Sequence, residues 1–517
     1  MLNQNETLSE KFVKKGSWIF FFTFLVAPIG YFIRIILTGD LSVEEIGILY
    51  GIIGLLGLLQ AYNDFGITES LNYFLPKYIV LKDYARCKYL LVFAFVVQIF
   101  TSIILTIFLF YLADFLSVWH FKSPLAKEVI QVMSLYFLGG NLMQIGTILF
   151  SVSQNTKLQK GLDFFRMFMT AIGIGGLSFI GLGNLLSYAW IWILAIFLAV
   201  AFSFFLSYKY YYVIYFQGVK MRVDPVLKLT FIKYSLGTFL TANIGTLLHQ
   251  LDQQILQGLT TATEGGIYAM YLSLVGIPFI FLGPIIGFLF PVISEIGSRG
   301  EIEKIRTIHT LFSSTMSVMI LWASGLFCML GVTLAVFLYG PQYAPSGYAL
   351  YFIAPFLVLN VLIQINFQIM AGMGMVRQRI GIFIKTLFLN IIVMTSMILA
   401  FKFQIIPFPT ASSAASFSVG ISWTLMWYLS YKVVGEYVGK IDWSFLLKNA
   451  FAIFLLIGIY FIFYNSHSPA IFGFSGKMKA LSEILFVFSI SIAIFLILNF
   501  KKGKEFLSII QEVRKKK

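Results

Sequence analysis

The sequence is built from apolar runs of about 20 residues, separated by short polar breaks. A run of that length at helical rise crosses the hydrocarbon core of a bilayer. Strands of a membrane barrel would be about ten residues long and would alternate in polarity. These runs do not alternate, so they predict helices, which satisfy their own backbone polar groups in lipid. Composition agrees: the 517 residues are 59% hydrophobic and 11% charged, with mean hydropathy +0.88. A soluble domain carries about 25% charge.

The expected fold is an all-α polytopic membrane protein of about fourteen transmembrane helices. The spans read as 17–38, 45–74, 89–113, 128–152, 163–183, 186–208, 227–257, 265–292, 307–338, 347–372, 379–401, 410–432, 446–464 and 481–499. The second, seventh, eighth and ninth exceed the length of a crossing and are expected to tilt, bend or project into water. The first run is longer than the apolar core of a secretory signal. It ends in Leu37, Thr38, Gly39 and Asp40, without a small-residue cleavage site, and is read as a retained span.

Lys and Arg set the orientation, because cytoplasmic loops collect them. With a cytoplasmic amino terminus, the outer loops hold only Lys122, Lys127, Lys402, Lys477 and Lys479. Apart from Arg34, Lys233 and Lys385 inside spans, the other cations fall on inner segments. Both termini are therefore expected in the cytoplasm, with the chain in the plasma (inner) membrane. The net charge of +15 has this source, and no stacking or groove-reading motif accompanies it, so nucleic acid is not an expected partner. Cys87 and Cys328 lie in different segments and predict no disulfide. His120, His249, His309 and His467 are scattered and form no metal cluster.

The chain resembles itself at an offset near 220 residues. Glu45, Ile46, Gly47, Ile48, Leu49 and Tyr50 correspond to Glu264, Gly265, Gly266, Ile267 and Tyr268. Leu75, Pro76 and Lys77 correspond to Phe290, Pro291 and Val292, and Leu142, Met143, Gln144 and Ile145 to Leu362, Ile363, Gln364 and Ile365. Each unit holds six spans, which makes a parallel repeat of the kind that supports alternating access. The expected organisation is a six-helix bundle over 1–222, a second over 223–437, two further helices over 438–499 and a basic cytoplasmic tail over 500–517.

Four stretches carry a family resemblance. They are Gly39, Leu41, Glu44, Glu45, Gly47 and Tyr50; Asp64, Phe65, Gly66 and Ile67 followed by Pro76; Leu251, Asp252, Gln253, Ile255 and Leu256 running to Gly266, Tyr268 and Pro291; and Tyr339, Gly340, Tyr343 and Ala344. Each is loose alone, and their order and spacing carry the specificity. The chain resembles the multidrug/oligosaccharidyl-lipid/polysaccharide (MOP) exporter superfamily, and within it the Wzx-type flippases of lipid-linked O-antigen and related units. The resemblance implies two bundles around a cationic cavity, alternating access, and in some members coupling to an ion gradient.

A lipid-linked sugar has an apolar tail, a diphosphate and a polar glycan. Only the tail is stable in hydrocarbon, so the headgroup needs a wet cavity with cations for the phosphates. Arg34, Lys233 and Lys385 are the cations inside spans, and they are expected to bind substrate; the plain alternative is snorkelling to the interface. His249, Asp252 and Gln253 share one helical face of the seventh span. His249 and Gln253 are assigned to substrate, and Asp252 and Asp64 to coupling with H+ or Na+. Interhelical packing is the plain reading of the acids, and a helix cap that of Asp64. The repeat-matched Gln144 and Gln364 are added as substrate-binding amides. Pro28 with Gly30, and Pro278 with Pro284, are the candidate hinges.

The reading is a flippase of an oligosaccharide on an undecaprenyl-diphosphate-type carrier. It needs no cofactor and no catalytic residue, and its expected partners are that substrate, membrane lipid, a coupling ion and a polysaccharide polymerase. A lipid II or teichoic-acid precursor flippase and a drug/cation antiporter are the nearest rivals. The two extra spans argue against the antiporter. A membrane glycan polymerase would need an extramembrane catalytic loop, and no outer loop exceeds about 20 residues.

Overall fold

The structure is a computed structural model that describes residues 8–242, 244–439, 442–464 and 473–515. Those residues are overwhelmingly helical, and no strand occurs among them. Twelve helical stretches among them are long and apolar enough to cross a membrane. The expected seventh and twelfth spans are helical but fall outside that group. The seventh contains residue 243, which lies outside the described residues. The twelfth is diluted by serines. The chain divides into two units, Met1–Gly266 and Ile267–Lys517.

The first unit contains α1 (Leu8–Asp40), α2 (Val43–Asn63), α3 (Ile67–Val80), α4 (Tyr84–Trp119), α5 (Ala126–Met133), α6 (Tyr136–Val152), α7 (Thr156–Phe179), α8 (Leu185–Ser207), α9 (Pro225–Ala242) and α10 (Ile244–Leu259). The π-helical stretch Tyr208–Phe216 prolongs α8. α1 packs on α7, α7 on α8, α8 on α6 and α6 on α4, while α3 meets α9 and α2 meets α10. On α4, Phe100, Ile104, Phe108, Tyr111 and Phe115 are exposed. Their spacing of three and four residues puts them on one face, which is how a lipid-facing helix presents its apolar side chains.

α2 begins with a capping box: the Ser42 N–H donates to Glu45 Oε2 at 2.9 Å, and the Glu45 N–H donates to Ser42 Oγ at 3.2 Å. It ends at Asp64, and the second span is not the continuous helix that the apolar run predicts. Phe65 and Gly66 take φ of 50° and 75°, the left-handed region that stops an α-helix. Asp64, at the C-cap of α2, braces the turn into α3, accepting from the N–H groups of Gly66 at 3.0 Å and Thr68 at 3.1 Å. The fourth span is likewise divided, into α5 and α6.

The second unit contains α11 (Ala262–Gly287, from Ile267 on), α12 (Leu289–Ser298), α13 (Ile302–Tyr339), α14 (Ala344–Ile353), α15 (Leu357–Gly372), α16 (Val376–Lys402), α17 (Ala411–Val434), α18 (Trp443–Tyr464) and α19 (Gly473–Lys515). α13 is its axis, packed by α14, α15, α18 and α19. α17 lies against α14, α15 and α16, and Ser412, Ser413, Ser416, Ser418, Ser422 and Ser430 on it are all buried. Several bond back to their own helix, as Ser418 Oγ does to the Ala414 carbonyl at 2.8 Å. These hydroxyls lower the hydropathy of α17 without exposing it. The basic tail expected over 500–517 continues α19 as helix to Lys515.

Candidate functional site

In the first unit the guanidinium of Arg34 is half-buried between α1 and α2. It lies over the rings of Tyr31 and Tyr50, at 5.8 and 5.5 Å, and Nη1 donates to the Gly30 carbonyl at 3.1 Å. Pro28 and Gly30 lie one turn earlier, inside an unbroken α1. Lys233, on α9, is exposed and makes no ion pair among the described residues.

A polar network links α2, α3, α4 and α6. Gln60 Nε2 donates to Asn141 Oδ1 at 2.7 Å, and Asn141 Nδ2 donates to the Gln98 carbonyl at 2.9 Å. Thr68 Oγ1 donates to Gln144 Oε1 at 3.0 Å. Gln144 is thus bonded across helices, as an interhelical amide would be. Asp64 is 4% exposed, with both carboxylate oxygens on backbone donors. Beside it Glu69 is half-buried, an acid that the sequence reading passed over. On α10, Asp252 and Gln253 are buried, at 8% and 6% exposure. The side chain of His249 lies outside the described residues. An opening of about 660 Å³ in this unit lies elsewhere, among α4, α5 and α8, with Phe110, Tyr111, Glu128, Gln131 and Trp190 on its wall. None of these is an expected site residue.

In the second unit Lys385 is exposed on α16. Gln364 Nε2 bonds Asn360 Oδ1 within α15 at 2.6 Å, so the repeat-matched glutamines have different partners. Pro278 and Pro284 lie within α11, which ends at Gly287. Arg379, counted from the sequence as a loop cation, is half-buried over Phe367 and Phe383, at 5.2 and 5.6 Å. It makes no ion pair among the described residues. By contrast Arg299, Lys304 and Arg306 are each paired, with Glu295, Glu301 and Glu303. Glu483 is a further acid within a span, accepting from Tyr460 Oη at 2.7 Å and Thr333 Oγ1 at 3.4 Å. Its partners sit on α18 and α13, so sequence proximity gave no sign of them. No cluster suited to a metal ion occurs among the described residues.

Residues 12–297 match the protein family described as polysaccharide biosynthesis protein. The chain belongs to that family. This polysaccharide biosynthesis family member is also 23% identical over 488 residues to an uncharacterized membrane protein of Methanocaldococcus jannaschii, covering 88% of this chain and 90% of the other. Its fold is shared with lipid II flippase MurJ in an inward closed conformation: TM-score 0.66 at 13% identity, over 92% of this chain and 98% of that one. An inward-facing multidrug resistance MATE family transporter of the MOP superfamily aligns with TM-score 0.64 at 11% identity, over 79% and 94% of the two chains. A MOP superfamily transporter from Pyrococcus furiosus gives 0.57 at 12%, over 83% and 96%. The polytopic helical architecture expected of the MOP superfamily is therefore the fold of this chain.

Proposed function

We propose that this family member is a flippase that moves an oligosaccharide on an undecaprenyl-diphosphate-type carrier across the plasma membrane by alternating access. The observation that carries the reading is Arg34, a guanidinium held within a span by two aromatic rings in a chain of the polysaccharide biosynthesis family. An ionisable side chain within a span commonly marks a substrate path. A diphosphate suits its donor edge. Lys233, Lys385 and Arg379 offer further positive charge to phosphate, and Gln144, Gln253 and Gln364 offer amides to sugar hydroxyls. No covalent bond is made or broken. Asp252 is the proposed group for H+ or Na+ coupling, and both termini are placed in the cytoplasm.

The test is reconstitution in liposomes carrying a fluorescent lipid-linked oligosaccharide on one leaflet. Protein-dependent movement to the other leaflet is the expected result. No movement, together with efflux of a cationic drug, would replace this reading with the antiporter. Movement of lipid II alone would replace the oligosaccharide with a peptidoglycan precursor.

A further inference from the structure

The opening of about 660 Å³ among α4, α5 and α8 lies wholly within the first unit. Its size is that of a small-molecule site, about 300–1,000 Å³. α4, α8 and the pair α5–α6 belong to stretches long and apolar enough to cross a membrane. Ile107, Phe110 and Tyr111 on α4 and Trp190 on α8 border the opening and are exposed. Tyr111 also belongs to the exposed apolar face of α4, so the opening gives onto the lipid side of the unit.

The break between α5 and α6 forms part of the wall, through Ser134 and Leu135. Irregular backbone at membrane depth is tolerated where it is buried in protein or borders a cavity, and discontinuous helices commonly build binding sites. Here Ser134 Oγ donates to the Gln131 carbonyl at 2.7 Å, and Thr106 Oγ1 donates to the Ser134 carbonyl at 3.0 Å. Both hydroxyls are spent on the backbone, so this end of the opening offers a ligand Ile107, Val132 and Leu135. The other end is charged. Glu128, near the start of α5, is exposed and makes no ion pair among the described residues. It stands seven residues before Leu135, a separation of about 10 Å along a helix. Its neighbour Lys127 is already paired with Asp114 of α4 at 2.8 Å. The opening thus joins an apolar interior to an uncompensated carboxylate, with the Trp190 ring and the Gln131 amide on the same wall.

We propose that this opening is a lipid site and that its occupant is an amine-headed phospholipid of the surrounding bilayer. The ammonium donates to Glu128 and the Gln131 amide oxygen beside the indole, an acyl chain fills the end at Leu135, and the phosphate stays at the water interface. The same carboxylate repels a phosphate that lacks an ammonium, which sets this lipid apart from the anionic carrier of the proposed substrate. Nothing in the assignment rests on the transport reading.

The test titrates the full chain, purified in detergent, with phosphatidylethanolamine, phosphatidylglycerol or undecaprenyl phosphate and reads bound lipid by native mass spectrometry. Phosphatidylethanolamine is expected to bind about tenfold tighter than either anionic lipid, the worth of one hydrogen bond to a charged group. Glu128→Gln, at an exposed position, is expected to remove that preference while the protein elutes as the parent does. Leu135→Trp fills the apolar end and is expected to lower binding of phosphatidylethanolamine by about tenfold. Equal binding of the three lipids overturns the proposal, as does a preference that survives Glu128→Gln. A normally eluting Leu135→Trp protein that binds as the parent does overturns the placement of the chain. Tighter binding of undecaprenyl phosphate overturns the amine-headed occupant and gives the opening to the carrier.

Discussion

Gly47 and Gly266, which the internal repeat places in equivalent positions, lie against each other. A β-carbon on Gly47 would come within 2.7 Å of the Gly266 nitrogen, and one on Gly266 within 3.0 Å of the Gly47 nitrogen and 2.2 Å of the Val43 carbonyl oxygen. Backbone meets backbone here, and no flexible side chain is present to give way. Gly47→Ala should therefore lower stability by about 1–3 kcal/mol, the usual cost of overpacking. Gly39→Ala is the control, since nothing lies within 4 Å of its added methyl. Thermal unfolding in detergent should separate the two, and equal midpoints would refute the close contact.

The spans were legible because long apolar runs have one solution in lipid, but the break inside the second span was not. The apolar pattern runs through Phe65 and Gly66, and only their left-handed backbone interrupts the helix. Arg379 was read as a loop cation because it lies just past a turn; Phe367, on the preceding helix, and Phe383 are what hold it in place. Glu483 stands near the start of the last apolar run, and its partners Tyr460 and Thr333 are remote in sequence. In each case the missing information is tertiary. The polar patch of α10 was visible as a patch, whereas the partners of Gln254 and Gln257, the Gly51 and Gly47 carbonyls of α2, became evident only once the helices were packed.

Asp64 is committed to the α2–α3 turn by bonds from Gly66 and Thr68. Asp64→Ala should cost about 0.5–2 kcal/mol, the range for losing side-chain bonds to free N–H groups at a helix start. Asp64→Asn keeps one acceptor oxygen and should retain most of that stability. If Asp64 acts only as a brace, the Asn variant transports normally. A stable Asn variant with no transport would assign the carboxylate to coupling instead.

Asp224 lies outside the spans, before α9. The Leu227 N–H and the Arg86 guanidinium, at 3.0 and 3.1 Å, hold its carboxyl below the usual carboxylate range. A depressed carboxyl contributes stability above its unfolded value of about 3.9, and that contribution is lost as pH falls through the folded value. Asp224→Asn should therefore be less stable than the parent at pH 7, with the difference shrinking as pH falls below about 4. Melting temperatures across that range check the sign. A gap that widens on acidification would contradict it.

α18 and α19 are held to α13 by a buried polar cluster as well as by apolar contacts. Trp322 Nε1 donates to Asn449 Oδ1 at 2.9 Å, and the Asn449 and Asn499 amides bond each other at 3.0 and 2.9 Å. Asn449→Leu leaves the indole N–H and the Asn499 amide without these partners. It should cost about 1–3 kcal/mol if they stay buried, and nearer 0.6 kcal/mol if they find others within the membrane. Proteolysis of the α18–α19 pair in detergent should accelerate accordingly, and an unchanged rate would show that apolar packing alone suffices.

Arg34 separates charge from shape. Its planar guanidinium lies over Tyr31 and Tyr50, and in the proposed site it would offer phosphate a fork of donors, whereas an ammonium keeps the charge and loses both the ring contacts and the fork. Arg34→Ala should insert normally and fail to complement a flippase-deficient strain. Arg34→Lys should fall between, with transport lowered by about tenfold, the equivalent of one bidentate hydrogen-bond pair reduced to a point charge. Equal activity of Lys and Arg would leave charge alone as the requirement. Normal complementation by the Ala variant, at normal membrane abundance, would remove Arg34 from the substrate path and take the proposed phosphate site with it.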